Sequence, residues 1–166
     1  MASSVDGDLI VRGGLAAQSM SIPSGAIGNA QVAAGANIDA AKLKHAHRAN
    51  YAQESATNAT AEARVVHVVV GATAVVQAFK AGCVVVAIGS ATATVDIKKN
   101  GTSILSGGTP ITLNSSNTIR VPVSGTVTTT AAVAGDVFEV VITATSGGGT
   151  LAKGIFAALD IWEDAS

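Results

Sequence analysis

Aromatic side chains are scarce in this chain of 166 residues: three Phe, one Tyr and one Trp, 3% of the total. Proteins that hold single-stranded nucleic acid interleave basic residues with stacking aromatics, and sugar-binding surfaces need aromatic platforms, so neither function has its usual materials here. Charge is equally sparse. Charged residues make up 13% and the net charge is −1, so no global field exists to collect nucleic acid or an anionic membrane. Cys83 is the only cysteine, which excludes an intrachain disulfide and suits a reducing compartment. Within "GCVVVAI" it reads as a buried small hydrophobe. The longest apolar stretches, "RVVHVVVGATAVVQAF" and "GCVVVAIGSATATV", are interrupted by His, Gly, Gln and Thr. Neither offers the roughly 20 apolar residues of a spanning helix. The opening "MASSVDGDLI" lacks the basic and apolar regions of a secretory signal.

What is present is Ala, Val, Gly, Ser and Thr. Hydrophobic residues reach 48%, too many for an intrinsically disordered chain. Small side chains bury little area each, at roughly 25 cal/mol per Å². A low-charge surface around such a core implies burial against partner chains, hence an oligomer.

Two textures divide the chain. Residues 1–64 carry isolated hydrophobes, Ile22, Ile27, Val32 and Ile38, among turn-forming residues. No helical or strand period is sustained there, so the segment reads as an extended arm that docks on a partner one anchor at a time. Residues 65–166 read as a β-sandwich with short strands at regular turn spacing. "VVHVVV" and "CVVVAI" are expected to be strands covered on both faces. Ala93, Val95 and Ile97 alternate with Thr94, Asp96 and Lys98, and Asn100-Gly101 then supplies a type I′ turn. Farther on, Phe138, Val140 and Ile142 share one strand face, and Ile155, Ala157, Leu159 and Ile161 another. "SGGGT" between these strands reads as a hairpin turn. Phe156 and Trp162 fall on the opposite face of the last strand and need cover from a second sheet or another subunit. A short helix is conceivable only around "AQESATNATAEAR".

The residue patterns of catalysis are missing. G-x-S-x-G, a P-loop, H-E-x-x-H, paired C-x-x-C and a dinucleotide glycine motif do not occur, and no carboxylate pair stands out. The expectation is a protein without enzymatic activity or cofactor. His67 lies mid-strand and reads as a hydrogen-bonded or interfacial structural residue.

The densest positive charge is "AAKLKHAHRANYAQ", with Lys42, Lys44, His45, His47 and Arg48. In an extended chain His45 and His47 point the same way, and a trimer would bring six imidazoles to one axis, enough for an octahedral metal. Three flanking cations oppose that reading. Nucleic-acid binding is opposed by the single nearby aromatic, Tyr51. A solvated linker and a latch for acidic groups on a protein partner remain, and the flanking apolar anchors favour the latch.

"SIPSGAIGNAQVAAGANIDAAKLKHAHR" resembles a segment near the N-terminus of tailed-bacteriophage virion proteins. "VDIKKNGTSIL" and "AGDVFEVVITAT…GTLAKGIFAALDIWED" resemble the β domain of such proteins, and together these stretches cover most of the chain. The family is that of capsid decoration (cement) and head-fibre proteins. The resemblance implies a homotrimer with a jelly-roll-like β-sandwich and an extended N-terminal arm lying on the outer capsid surface, assembled in the host cytoplasm. Its partner would be the major capsid protein. The docking residues would be Ile22, Ile27, Val32, Ile38 and Leu43 as anchors, with Lys42, Lys44, His45, His47 and Arg48 as the polar latch. Phe156 and Trp162 would lie at the subunit interface. A tail-fibre or receptor-binding module of a phage virion is the alternative, from a different functional class, and a cellular oligomeric β-sandwich adaptor is the third reading.

Overall fold

The computed structural model describes residues 44–164. The expected anchors Ile22, Ile27, Val32, Ile38 and Leu43, and Lys42 of the latch, lie outside the described residues. From Lys44 onward the chain forms ten strands: β1 (His45–Ala52), β2 (Glu62–Val68), β3 (Thr73–Val85), β4 (Thr92–Lys99), β5 (Thr102–Ser103), β6 (Ile111–Leu113), β7 (Val123–Gly125), β8 (Ala131–Val133), β9 (Val137–Thr145) and β10 (Lys153–Glu163). They make two antiparallel sheets packed as a sandwich. The first runs β1-β10-β3-β7, with β8 also on β3; the second runs β2-β9-β4-β5, with β6 also on β4.

Period-two alternation builds the core. Ala93, Val95 and Ile97 of β4 are fully buried, as are Phe138 of β9 and Ile155 and Ile161 of β10. Val140, Ile142, Ala157 and Leu159 complete these inner faces. The side chains are small and β-branched, so the sheets interdigitate with few long residues. Cys83 is part of this core, and burial pushes its thiol pKa up. The β4–β5 hairpin turns at Asn100 and Gly101, with φ of 50° and 82°. Both central residues of a type I′ turn need such values, and Asn-Gly supplies them at least cost.

Several expectations change. The arm was expected to run through residue 64, yet β1 lies inside that stretch and pairs along its whole length with β10. Residues 64 and 65 fall in the interior of β2. The sandwich therefore reaches back at least to His45. "AQESATNATAEAR" holds a turn and a bridge between Asn58 and Lys153, with no helix; its Ser, Asn and Thr residues favour local turns over helical ladders. "SGGGT" makes no hairpin, because β9 and β10 belong to different sheets. "VVHVVV" is covered on one face only: Val65, Val68 and Val70 are exposed, since the sandwich has two layers and each sheet is packed on its inner face.

The Gly-rich crossing between β9 and β10 packs tightly on the 88–91 loop. Ile88 and Thr150 exchange two backbone hydrogen bonds of 2.9 and 3.0 Å. A Cβ on Gly149 would overlap the Ile88 carbonyl oxygen and stand 2.8 Å from the Ala91 nitrogen. Both obstacles are backbone, so they yield only if the crossing moves. Gly149→Ala is expected to lower unfolding stability by about 2 kcal/mol, read as a lower urea midpoint at unchanged slope.

Candidate functional site

β1 is an edge of the first sheet and β2 an edge of the second, and their inner faces meet along an open side of the sandwich. His45, His47, Ala49 and Tyr51 of β1 stand opposite Glu163, Ile161, Leu159 and Ala157 of β10, which face the core. On β2, Glu62, Arg64 and His67 pair with Ile142, Val140 and Phe138, the buried face of β9. A register shift between Val65 and His67 is a β-bulge. It lets Val66 pack on the core while His67 also turns inward. The sandwich closes on this side with polar groups.

One end of the seam is a row of imidazoles. The ring centroids of His45 and His47 are 6.3 Å apart and nearly parallel; those of His47 and His67 are 5.7 Å apart; His67 then lies 6.4 Å from the Phe138 ring. His67 Nε2 is hydrogen-bonded to Glu163 Oε1. The second oxygen, Oε2, accepts from the backbone nitrogens of Val70 at 3.0 Å and Gly71 at 2.7 Å. Glu163 is buried, with a side chain 4% exposed. Burial alone would push its carboxyl pKa up, but the hydrogen bonds from Gly71, His67 and Val70 outweigh it and hold the group below the ordinary glutamate value. Gly71 is required for the approach: a Cβ there would collide with the Asp164 carbonyl oxygen.

The other end is a cleft of about 630 Å³, lined by Asn50, Tyr51, Gln53, Thr60, Glu62 and Arg64 among others. Its polar groups are engaged with one another. Tyr51 donates to Glu62 Oε2 at 2.6 Å, Arg64 pairs with Glu62 Oε1, and Gln53 bridges both backbone polar groups of Thr60. Burial, reinforced by the bond to Glu62, pushes the Tyr51 hydroxyl up to about 12. The hydroxyls and ions here clasp β1 to β2, and Tyr51 is a donor rather than a base at any physiological pH.

The outer face of the first sheet differs. Ala46, Trp162, Val75 and Ala131 stand in register across β1, β10, β3 and β8, with Val133 beside them. Trp162 is 48% exposed, Val75 40% and Val133 55%. Phe156 has another employment, since its ring lies over Gly82, where a Cβ would stand 2.5 Å from Cζ. The two aromatics expected at a subunit interface thus separate: Phe156 covers its own sheet and Trp162 heads an uncovered row.

The basic residues also separate. His45 and His47 face the seam, whereas Lys44 and Arg48 lie on the outer side and meet carboxylates of their own chain. Arg48 grips Asp160 with two bonds of 2.5 and 3.2 Å, and Lys44 stands 3.6 Å from Asp164. Such exposed pairs contribute little to stability, but they lower the net charge available to an acidic partner. Among the described residues no three His, Cys, Asp or Glu side chains are placed to hold one metal ion. Sequence reasoning missed Glu163, although its place two residues beyond Ile161 puts it on the inner face. The Tyr51–Glu62–Arg64 clasp left no such signal. No family model, curated protein or solved structure matches the chain.

Proposed function

We propose that this chain is a non-enzymatic structural protein of a tailed-phage virion, which decorates the assembled capsid and stabilises contacts between capsomers. The uncovered apolar row across the first sheet carries this reading. In a chain with so few aromatics, its only Trp stands on a face open to solvent beside exposed valines. Burying such a row against another subunit is the natural use of the face. Support comes also from the strand orders β1-β10-β3-β7 and β2-β9-β4-β6, which the chain fills by stepping from sheet to sheet. We read this stepping as jelly-roll winding, a fold used by viral capsid proteins and lectins. The resemblance of residues 21–48 to phage virion proteins supports a virion role among those uses.

The mechanism is binding. A protein that binds the assembled shell and not its separated parts stabilises the shell by mass action, and three arms on a trimer add avidity without a strong single contact. The major capsid protein is the partner, with Ile22, Ile27, Val32, Ile38 and Leu43 as anchors. His45 and His47 are already part of the sandwich edge, so any latch made by the basic segment lies where arm and domain join.

Sedimentation equilibrium of the full chain is expected to give a trimer, and Trp162→Glu a monomer whose circular dichroism is unchanged. A wild-type monomer at micromolar concentration would sink the trimer. Copy number in purified particles tests location: a count that scales with capsomers supports decoration, and one fixed by the single tail favours a fibre.

A further inference from the structure

We propose that the imidazole row is an acid-operated release for the first half of β1, opening the seam between the two sheet edges as the histidines charge. Imidazoles are the side chains that change charge between pH 5 and 8, and three stand here in sequence at 6.3 and 5.7 Å. The groups around the row decide what acid does. From β10, Glu163 faces His67, and its other oxygen is taken by the Val70 and Gly71 nitrogens. From β9, Phe138 offers only an apolar ring. On β2, Arg64 is matched by Glu62, which also accepts from Tyr51. On the outer side, Lys44 and Arg48 occupy Asp164 and Asp160. Glu163 neutralises one imidazolium, on His67. His47 touches the imidazoles on either side and no carboxylate among the described residues.

A proton on His47 thus places a second cation 5.7 Å from His67, at the edge of a sheet. β1 has a single hydrogen-bonded neighbour, β10, so the repulsion is relieved when His45–Arg48 peels away. The Tyr51–Glu62 clasp holds the second half of β1 in place, because neither group titrates in that range: Tyr51 is pushed up to about 12, and the hydrogen bond from Tyr51, then that from Arg64, hold Glu62 below its ordinary value. The device sits where the chain enters the sandwich, and it stands whether or not the protein decorates a capsid.

Hydrogen exchange of the full chain at pH 7.5 and 5.0, corrected for intrinsic rates, tests it. Protection of the His45–Arg48 amides is expected to fall about tenfold at the lower pH, while β4 and β9 keep theirs. His47→Gln should retain the protection at pH 5.0, and His47→Lys, which carries the charge permanently, should lose it already at pH 7.5. Unchanged wild-type protection, an equal loss in His47→Gln, full protection of His47→Lys at pH 7.5, or a loss spread over all strands would each overturn the proposal.

Discussion

Glu163→Ala is expected to destabilise the sandwich by about 3 kcal/mol, the cost of leaving buried donors without their acceptor. Three donors lose their acceptor at once: His67 and the Val70 and Gly71 nitrogens. The 70–71 turn cannot swing out to water cheaply, since the Gly71 α-carbon is packed against the Asp164 carbonyl. Urea denaturation at pH 7 measures the loss. The acid limb tells the same story in another variable. Because hydrogen bonds hold the folded carboxyl below its ordinary value of 4.5, the stability Glu163 contributes is complete above that pH. It is lost as pH falls through the lower, folded value. Glu163→Gln keeps the side-chain shape but has no charge to lose, so its stability should vary less between pH 4.5 and pH 2 than that of the wild type. A variant as acid-sensitive as the wild type in that window would assign the acid response to other carboxylates, such as Asp136. This window lies below pH 5.0, the lower arm of the hydrogen-exchange experiment, so the two tests are separable.

Phe138→Ala is expected to cost about 4 kcal/mol, within the range for deleting a fully buried aromatic ring. Phe138 is 0% exposed and, with Phe79, is one of the two largest side chains in a core otherwise built of Ala, Val, Ile, Leu and Cys83. Small neighbours on a rigid pleated sheet cannot reach across the space it leaves. The ring also stands beside His67, so its loss should loosen the imidazole end of the seam. Thermal unfolding would show a markedly lower Tm, and a drop of only a degree or two would mean that the sheets close over the cavity. Phe138→Leu, which keeps most of the volume, should recover more than half of the loss.

The strands that form the core were legible because their signal is local. β4 alternates without a break and ends in Asn-Gly, and the turn conformation follows from those two residues alone. The inner faces of β9 and β10 follow from the same period. Which strands are neighbours was not legible. "SGGGT" has the composition of a hairpin turn, yet it carries the chain from one sheet to the other, because β10 is longer and more apolar than any other partner for β3 and is drawn between β1 and β3. β1 reads as arm because its inward residues, His45, His47, Ala49 and Tyr51, are polar or small, which erases the hydrophobic alternation of a strand on a core.

The sequence by itself determined an all-β domain with a small-residue core, no intrachain disulfide, and an inner and outer face for each long strand. These follow from composition and from a period of two, which need no knowledge of distant contacts. Only the tertiary structure decided that His67, at the bulge of β2, meets Glu163 at the end of β10, 96 residues away, and that His47 stands beside them. It alone separated Phe156, folded over Gly82, from Trp162, left open. Such pairings depend on which edge of one sheet lies over which edge of the other, and that is settled by the packing of the whole core rather than by any segment of it.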